Sequence, residues 1–245
     1  MKVIFNADDF GLTEGVNDGI IDSFINGVVR STTLMVGMGA EMHALKLAQQ
    51  HPKLKIGLHL RFTAGAPLTK NPLLTRKDGN FPALSDFWKK QFFDPQAVRN
   101  EVIAQIEHFL GLGLKLSHID SHHHVHTHPQ LAPIIYTAAK EYQVPLRGSG
   151  FSNGKKALRY SFTDKFYDKG VSQYTLIQHL TELKEHFDIV EIMCHPAIAD
   201  KALLSISSYY FQREEERRLL TSPELKRALQ ENAIGITDYS ELLSS

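Results

Sequence analysis

The stretch Val3-Ile4-Phe5-Asn6-Ala7-Asp8-Asp9-Phe10-Gly11 is a short apolar, β-branched run that breaks into polar residues. It reads as a buried strand whose C-terminal end carries two adjacent carboxylates. From Thr13 the period changes: Val16, Ile20, Ile21, Phe24 and Ile25 recur at helical spacing, with Thr13 as a cap and Gly27 as a stop. Strand then helix is a β/α unit, and the unit repeats. Residues 32–36 precede a helical stretch at 40–50, residues 55–60 form a further strand, and 115–119 precede a helix at 129–142. Residues 189–193 and 233–237 supply two more strands, the last before a short terminal helix. The alternation predicts an α/β fold, a single-domain (β/α) barrel, incomplete or distorted, of about seven mainly parallel strands if 145–147 counts as one.

Two stretches interrupt this rhythm within one catalytic domain, 1–245. Residues 63–95 carry Pro67, Pro72, Pro82 and Pro95 with Gly65 and Gly79, while Phe81, Phe87, Trp88, Phe92 and Phe93 need cover. The stretch reads as an insertion, either a packed excursion or an aromatic substrate wall. Residues 148–170, with aromatics among Gly, Ser, Asn and Lys, read as a second insertion in the form of a long loop.

Composition narrows the function classes. A chain of 245 residues, 42% apolar, can bury a core without disulfide staples. Lys+Arg 27 against Asp+Glu 27 leaves no global field to hold a polyanion, which counts against nucleic acid and anionic membrane as partners. Cys194, the sole cysteine, forms no internal disulfide, and no window approaches the roughly 18 apolar residues of a membrane span, so a soluble, cytoplasmic protein is expected. Six of the 13 histidines fall between His118 and His128.

Four polar clusters sit at predicted strand ends, where parallel α/β folds collect their active sites. Asp8 and Asp9, as neighbours in extended backbone, point to opposite sides, so one suits a cation and the other a proton; a capping turn is the plain alternative. His59, in Ile56-Gly57-Leu58-His59-Leu60, lies on the face opposite Leu58 and Leu60, as a ligand or a satisfied core residue. His118-Ile119-Asp120-Ser121-His122-His123-His124-Val125-His126 offers imidazoles for a first-row metal beside a carboxylate able to fix a tautomer. In extended backbone Asp120 and His122, or His124 and His126, would share a side. His195-Pro196 leaves its strand extended, towards the same rim. Together these supply one carboxylate and two imidazoles for a metal, with a spare carboxylate and a spare imidazole for proton transfer, the needs of metal-assisted hydrolysis. The run Arg213-Glu214-Glu215-Glu216-Arg217-Arg218 reads as a solvated helix face.

Asn6-Ala7-Asp8-Asp9-Phe10-Gly11-Leu12, Ser31-Thr32-Thr33, Ile56-Gly57-Leu58-His59, Ser117-His118-Ile119-Asp120-Ser121-His122-His123-His124-Val125-His126 and Met193-Cys194-His195-Pro196, in this order, resemble the YdjC family of carbohydrate deacetylases. Leu219-Leu220-Thr221-Ser222-Pro223-Glu224-Leu225-Lys226 is also similar to its chito-oligosaccharide (diacetylchitobiose) branch. The resemblance spans nearly the whole chain and implies a fold like the β/α-barrel polysaccharide deacetylases. It implies Asp9, His59 and His122 as metal ligands, Asp8 as general base and His195 as general acid, acting on the N-acetyl group of N-acetylglucosamine units in short chito-oligosaccharides. Arg61, Asp120 and His124 are further candidates on the substrate side, Arg61 for a polar contact to sugar or acetate, Asp120 and His124 for supporting the ligands. One divalent metal ion is expected: magnesium by resemblance, although two imidazoles and a carboxylate suit zinc or another transition metal. The resemblance also suggests a homodimer. Rival readings are a phosphoesterase or glycosidase of the same barrel class, or a metal- or sugar-binding protein without catalysis. Adjacent Asp8 and Asp9 do not suggest the straddling pair of a glycosidase, and a mere binder would not need Asp8 and His195.

Overall fold

An apolar run without alternation needs cover on both faces, and β1 (Lys2–Phe10) has it: every residue after Lys2 is buried. In the computed structural model, which describes residues 1–150 and 158–244, β1 is the centre of a curled, mixed α/β half-barrel. The other strands are β2 (Ser31–Leu34), β3 (Lys55–Leu60), β4 (Ile119–Ser121), β5 (Tyr160–Thr163), β6 (Ile189–Cys194) and β7 (Gly235–Thr237). Their order is β4-β3-β2-β1-β6-β5, with β7 paired to the start of β1. Each pairing among the described strands is parallel. β4 and β5 lie at the two ends of this order, so the sheet curls without the closure of an eight-stranded barrel.

The helices are α1 (Glu14–Ile25), α2 (Glu41–Gln50), α3 (Leu84–Lys89), α4 (Pro95–Gly111), α5 (Ala132–Glu141), α6 (Gln173–Leu183), α7 (Lys201–Ile206), α8 (Phe211–Thr221), α9 (Pro223–Glu231) and α10 (Ser240–Ser244). No helix among the described residues is long and apolar enough to cross a membrane. α1 starts as its sequence dictates. Thr13 Oγ1 accepts from the Val16 N–H at 3.2 Å, and Val16, Ile20 and Ile21 are buried. Its interior glycines have a packing reason. A Cβ at Gly19 would lie 2.3 Å from Ala197 Cα, and one at Gly15 2.1 Å from the Ile198 carbonyl oxygen. The helix backbone therefore rests directly on the segment that follows His195.

Differences from the sequence reading are local. β4 begins at Ile119, the far end of the expected 115–119, because the ladder with β3 pairs Leu58 with Ile119 and His59 with Asp120. Residues 145–147 form no strand; Leu146 makes a single parallel bridge to Ile119, which suffices to bring Arg147 inward. The expected loop at 148–170 contains β5, paired with β6. Tyr160 and Phe162 alternate with Ser161 and Thr163, a period-two signal only four residues long. Residues 151–157 of that expectation lie outside the described residues.

The insertion at 63–95 is packed. Phe81, Phe87 and Phe93 are buried against the main core. Glu101 of α4, itself fully buried, accepts from the Leu68 and Thr69 N–H groups, both at 3.0 Å, and so ties down the first part of the excursion.

Candidate active site

The parallel strands bring the chemical residues to one end of the sheet: Asp8 and Asp9 at the end of β1, His59 on β3, Asp120 on β4 with His122 just beyond it, and His195 after β6. The two aspartates do not point apart as extended neighbours would. Asp9 has φ 71°, and the β1–β2 register slips between Ala7 and Phe10, a bulge that turns both carboxylates into one cavity. The alternation expected in the histidine run also fails. β4 ends at Ser121, a 3₁₀ turn covers His122–Thr127, and His123 and His124 both have φ 54°. His122, His123 and His124 consequently all line the cavity. His126 turns back, its Nδ1 2.5 Å from Ser121 Oγ, and His118 lies beneath the site with Nε2 2.9 Å from Asn6 Oδ1.

Three ligand atoms converge. Asp9 Oδ1 is 2.9 Å from His122 Nδ1 and 3.3 Å from His59 Nε2, and one atom from each of the three lies within 4.8 Å of the others. His59 Nδ1 is 2.7 Å from Asp120 Oδ1, so an Nδ1–H facing that carboxylate leaves Nε2 to face Asp9. Asp9 Oδ2 accepts from Arg213 Nη2 at 2.6 Å, which leaves Oδ1 as its free ligand. A carboxylate oxygen, two imidazole nitrogens and an oriented imidazole fit a divalent cation of the zinc type. A second trio, Asp8, His59 and Asp120, is also close enough. It fits worse, because Arg147 already neutralises both of its carboxylates.

Burial alone would lower the His59 pKa, but Asp120, Asp9 and Asp8 outweigh it and push it to about 10. A cation entering here must displace that proton. Burial would raise the carboxyl of Asp9, yet the Arg213 guanidinium and His122 hold it well below the ordinary range.

Asp8 is held differently. Arg147 donates to both of its oxygens, Nη1 to Oδ2 and Nη2 to Oδ1, each at 2.6 Å. The same guanidinium reaches Asp120 Oδ2 at 2.9 Å and Glu191 Oε1 at 2.7 Å. Burial opposes ionisation of Asp8, but Arg147 prevails and keeps the carboxyl well below the usual carboxylate range. His195 Nε2 is 4.0 Å from Asp8 Oδ2. Its backbone N–H donates to Glu216 Oε2, and its Nδ1 lies 3.8 Å from Glu216 Oε1. Glu216 is fully buried and also accepts from the Tyr209 hydroxyl at 2.7 Å.

Two expectations are corrected here. Arg61 does not face the cavity. Its side chain is buried, donating from Nε to the Val36 carbonyl at 2.7 Å and from Nη1 to the Ala64 and Ala66 carbonyls at 2.8 and 2.7 Å. It anchors the base of the excursion. Asp120 is fully buried among His59, Thr33 and Arg147, where its carboxylate faces His59 Nδ1. His124 does line the cavity. The charged run at 213–218 is not wholly solvated: Arg213 is 5% exposed and Glu216 0%. Both share a helical stripe with buried Leu220, spaced i, i+3, i+7, which was the available signal. Arg147 had none, since no periodic element announces it.

The cavity that holds these groups has a volume of about 770 Å³, within the range of small-molecule sites. A curled parallel half-barrel with a carboxylate–imidazole cluster at its strand ends defines the class: a protein of polysaccharide-deacetylase-like fold. A mutant of a CE4 family pseudoenzyme shares that fold at 10% identity, with a TM-score of 0.50 over 99% of this chain and 67% of that one. Within the class, the chain belongs to the YdjC-like protein family, whose match spans residues 2–231. A Vibrio vulnificus relative named carbohydrate deacetylase is 60% identical over 244 residues, covering 99% of this chain and 97% of its own. A crystal structure from Enterococcus faecalis, named for cellobiose-phosphate cleavage, superposes with a TM-score of 0.90 at 35% identity, covering 98% of each chain.

Proposed function

We propose that this protein is a metal-dependent carbohydrate deacetylase that hydrolyses the N-acetyl group of N-acetylglucosamine units in short chito-oligosaccharides. The observation that carries the reading is the meeting of two sets in one cavity: the Asp9, His59 and His122 donors, and the Asp8 and His195 pair beside them. A divalent cation bound by the first set would polarise the acetyl carbonyl and acidify water. Zinc or another transition metal suits two imidazoles better than magnesium, which prefers oxygen ligands. Asp8, kept ionised and fixed by Arg147, accepts the proton that the attacking water loses. His195 delivers a proton to the amide nitrogen as the C–N bond breaks, releasing acetate and the free amine. Glu216, which accepts from the His195 backbone N–H and lies 3.8 Å from its Nδ1, holds that residue in place. The same reading carries a cytoplasmic homodimer acting on a small neutral sugar, without nucleic acid or membrane as partner.

Glycosidic cleavage by paired carboxylates fits less well, because Asp9 is turned to His122 and Arg213 and does not stand across the cavity from Asp8 as a second free carboxylate. Metal-loaded protein incubated with diacetylchitobiose should release free acetate. Metal bound with no acetate from any acetylated sugar would overturn the reading in favour of a binding protein.

A further inference from the structure

Trp88 is 43% exposed, on an excursion that buries Phe81, Phe87 and Phe93 but also leaves Leu73, Leu84 and Phe92 open to solvent. Its neighbour Phe87 is fully buried, with the two rings edge to face at 5.6 Å. His128, only 7% exposed, lies 5.4 Å from the Trp88 ring and is itself enclosed by Phe87 at 5.3 Å and Phe93 at 5.0 Å. The indole is thus backed by a rigid aromatic cluster, and the surface it leaves open lines the same cavity as the reacting groups. Leu84, one helical turn earlier and 41% exposed, lines that cavity too. Leaving half an indole and a leucine in water forgoes burial that folding would otherwise use. A preformed, fixed apolar face inside a cavity is what a ligand with a flat C–H face requires.

The reacting end has aromatics of its own. Tyr167 and Tyr209 stand edge-on to His195 at 5.6 and 6.0 Å. Among the described residues Trp88 has ring contacts with Phe87 and His128, and with none of His59, His122 or His195. It therefore belongs to a different section of the wall. Resting on the deacetylase reading above, we infer that Trp88 is the stacking platform for a second sugar ring, the neighbour of the ring that loses its acetyl group. The excursion then selects oligosaccharides over a single N-acetylglucosamine.

Trp88 is the only tryptophan in the chain, so intrinsic indole fluorescence reports this contact directly. Titrating the wild-type protein with diacetylchitobiose should give a saturable spectral shift, and N-acetylglucosamine a much smaller one at equal occupancy. No shift, or equal shifts from the two sugars, overturns the platform whether or not the protein turns either over. In kinetics, Trp88→Ala should lower the ratio of kcat/KM for the disaccharide to kcat/KM for the monosaccharide roughly tenfold, and Trp88→Phe should restore most of it. Acetate release with an unchanged ratio in Trp88→Ala would leave the deacetylase reading standing and remove the platform. Failure of the wild type to release acetate from any sugar would remove the reading itself.

Discussion

Asp8 and Asp9 are chemically identical and adjacent, yet each takes a different partner: Arg147 grips both oxygens of Asp8, while Arg213 takes one oxygen of Asp9 and leaves the other facing imidazoles. Asp8→Asn should therefore keep metal and lose activity by roughly 10²- to 10⁴-fold, measured as acetate release alongside metal content. His59→Ala or His122→Ala should lose both. An Asp8→Asn enzyme with full metal and full rate would remove the base assignment. Metal uptake should also release a proton. With the metal-free His59 pKa raised to about 10, that imidazole is protonated at neutral pH and must give up its proton to bind a cation. Calorimetric titration in buffers of different ionisation enthalpy would detect the release, and its absence would contradict the ligand role. At this scale residue type marked Asp8, Asp9, His59, the histidine run and His195 as polar groups at strand ends, the resemblance singled out His122 from that run, and the fold gathers all five at one cavity. The sequence was silent on Arg147 and misleading on Arg213, Glu216 and Arg61. An arginine or glutamate can serve solvent, a backbone carbonyl or a buried carboxylate, and only packing decides which.

Among the elements, α1 shows how a helix fixes a residue it never touches chemically. Gly15 and Gly19 let its backbone rest on residues 197 and 198, just past His195. Gly19→Ala should destabilise by roughly 1–3 kcal/mol, the usual range for overpacking. It should also lower kcat more than it weakens metal binding, since the displaced segment begins at His195, the proposed proton donor, while the proposed ligands sit on β1, β3 and the turn after β4. Thermal unfolding together with acetate-release kinetics would check this, and a stable, fully active variant would mean that the contact is slack. Elements with long or strongly periodic patterns, such as β1, β3, α1 and α2, were legible to within a few residues. β5 was not, because four residues, three of them half-buried, in polar company give too short an alternation. The bulge at Asp9 was equally hidden, since Asp adopts a positive φ more readily than most residues but its presence does not announce one.

For the whole molecule, neutral charge conceals a site dense in opposed charges, and this governs how stability varies with pH. Burial lowers His126 to about 3 and His118 well below its usual value, with Arg147 adding to both. An unfolded chain binds protons at these histidines below about pH 6.5 that the folded one refuses, so stability should fall as pH drops from there towards 3. The depressed carboxyls of Asp8 and Asp9 act in the same direction at lower pH. His59 works oppositely: raised to about 10, it contributes stability that is complete below 6.5 and lost as pH rises through 10. The Tm of metal-free protein should peak near neutral pH and decline on both sides, and a flat profile would contradict these assignments. The sequence by itself determined the β/α alternation, the parallel sheet and the residue types at its strand ends, because periodicity and burial are local properties of a chain. The tertiary structure alone decided which guanidinium meets which carboxylate, that both aspartates face one cavity, and that Glu216 stands behind His195. Those pairings join residues more than a hundred positions apart or on different elements, and their energies arise only once water has been removed from between them.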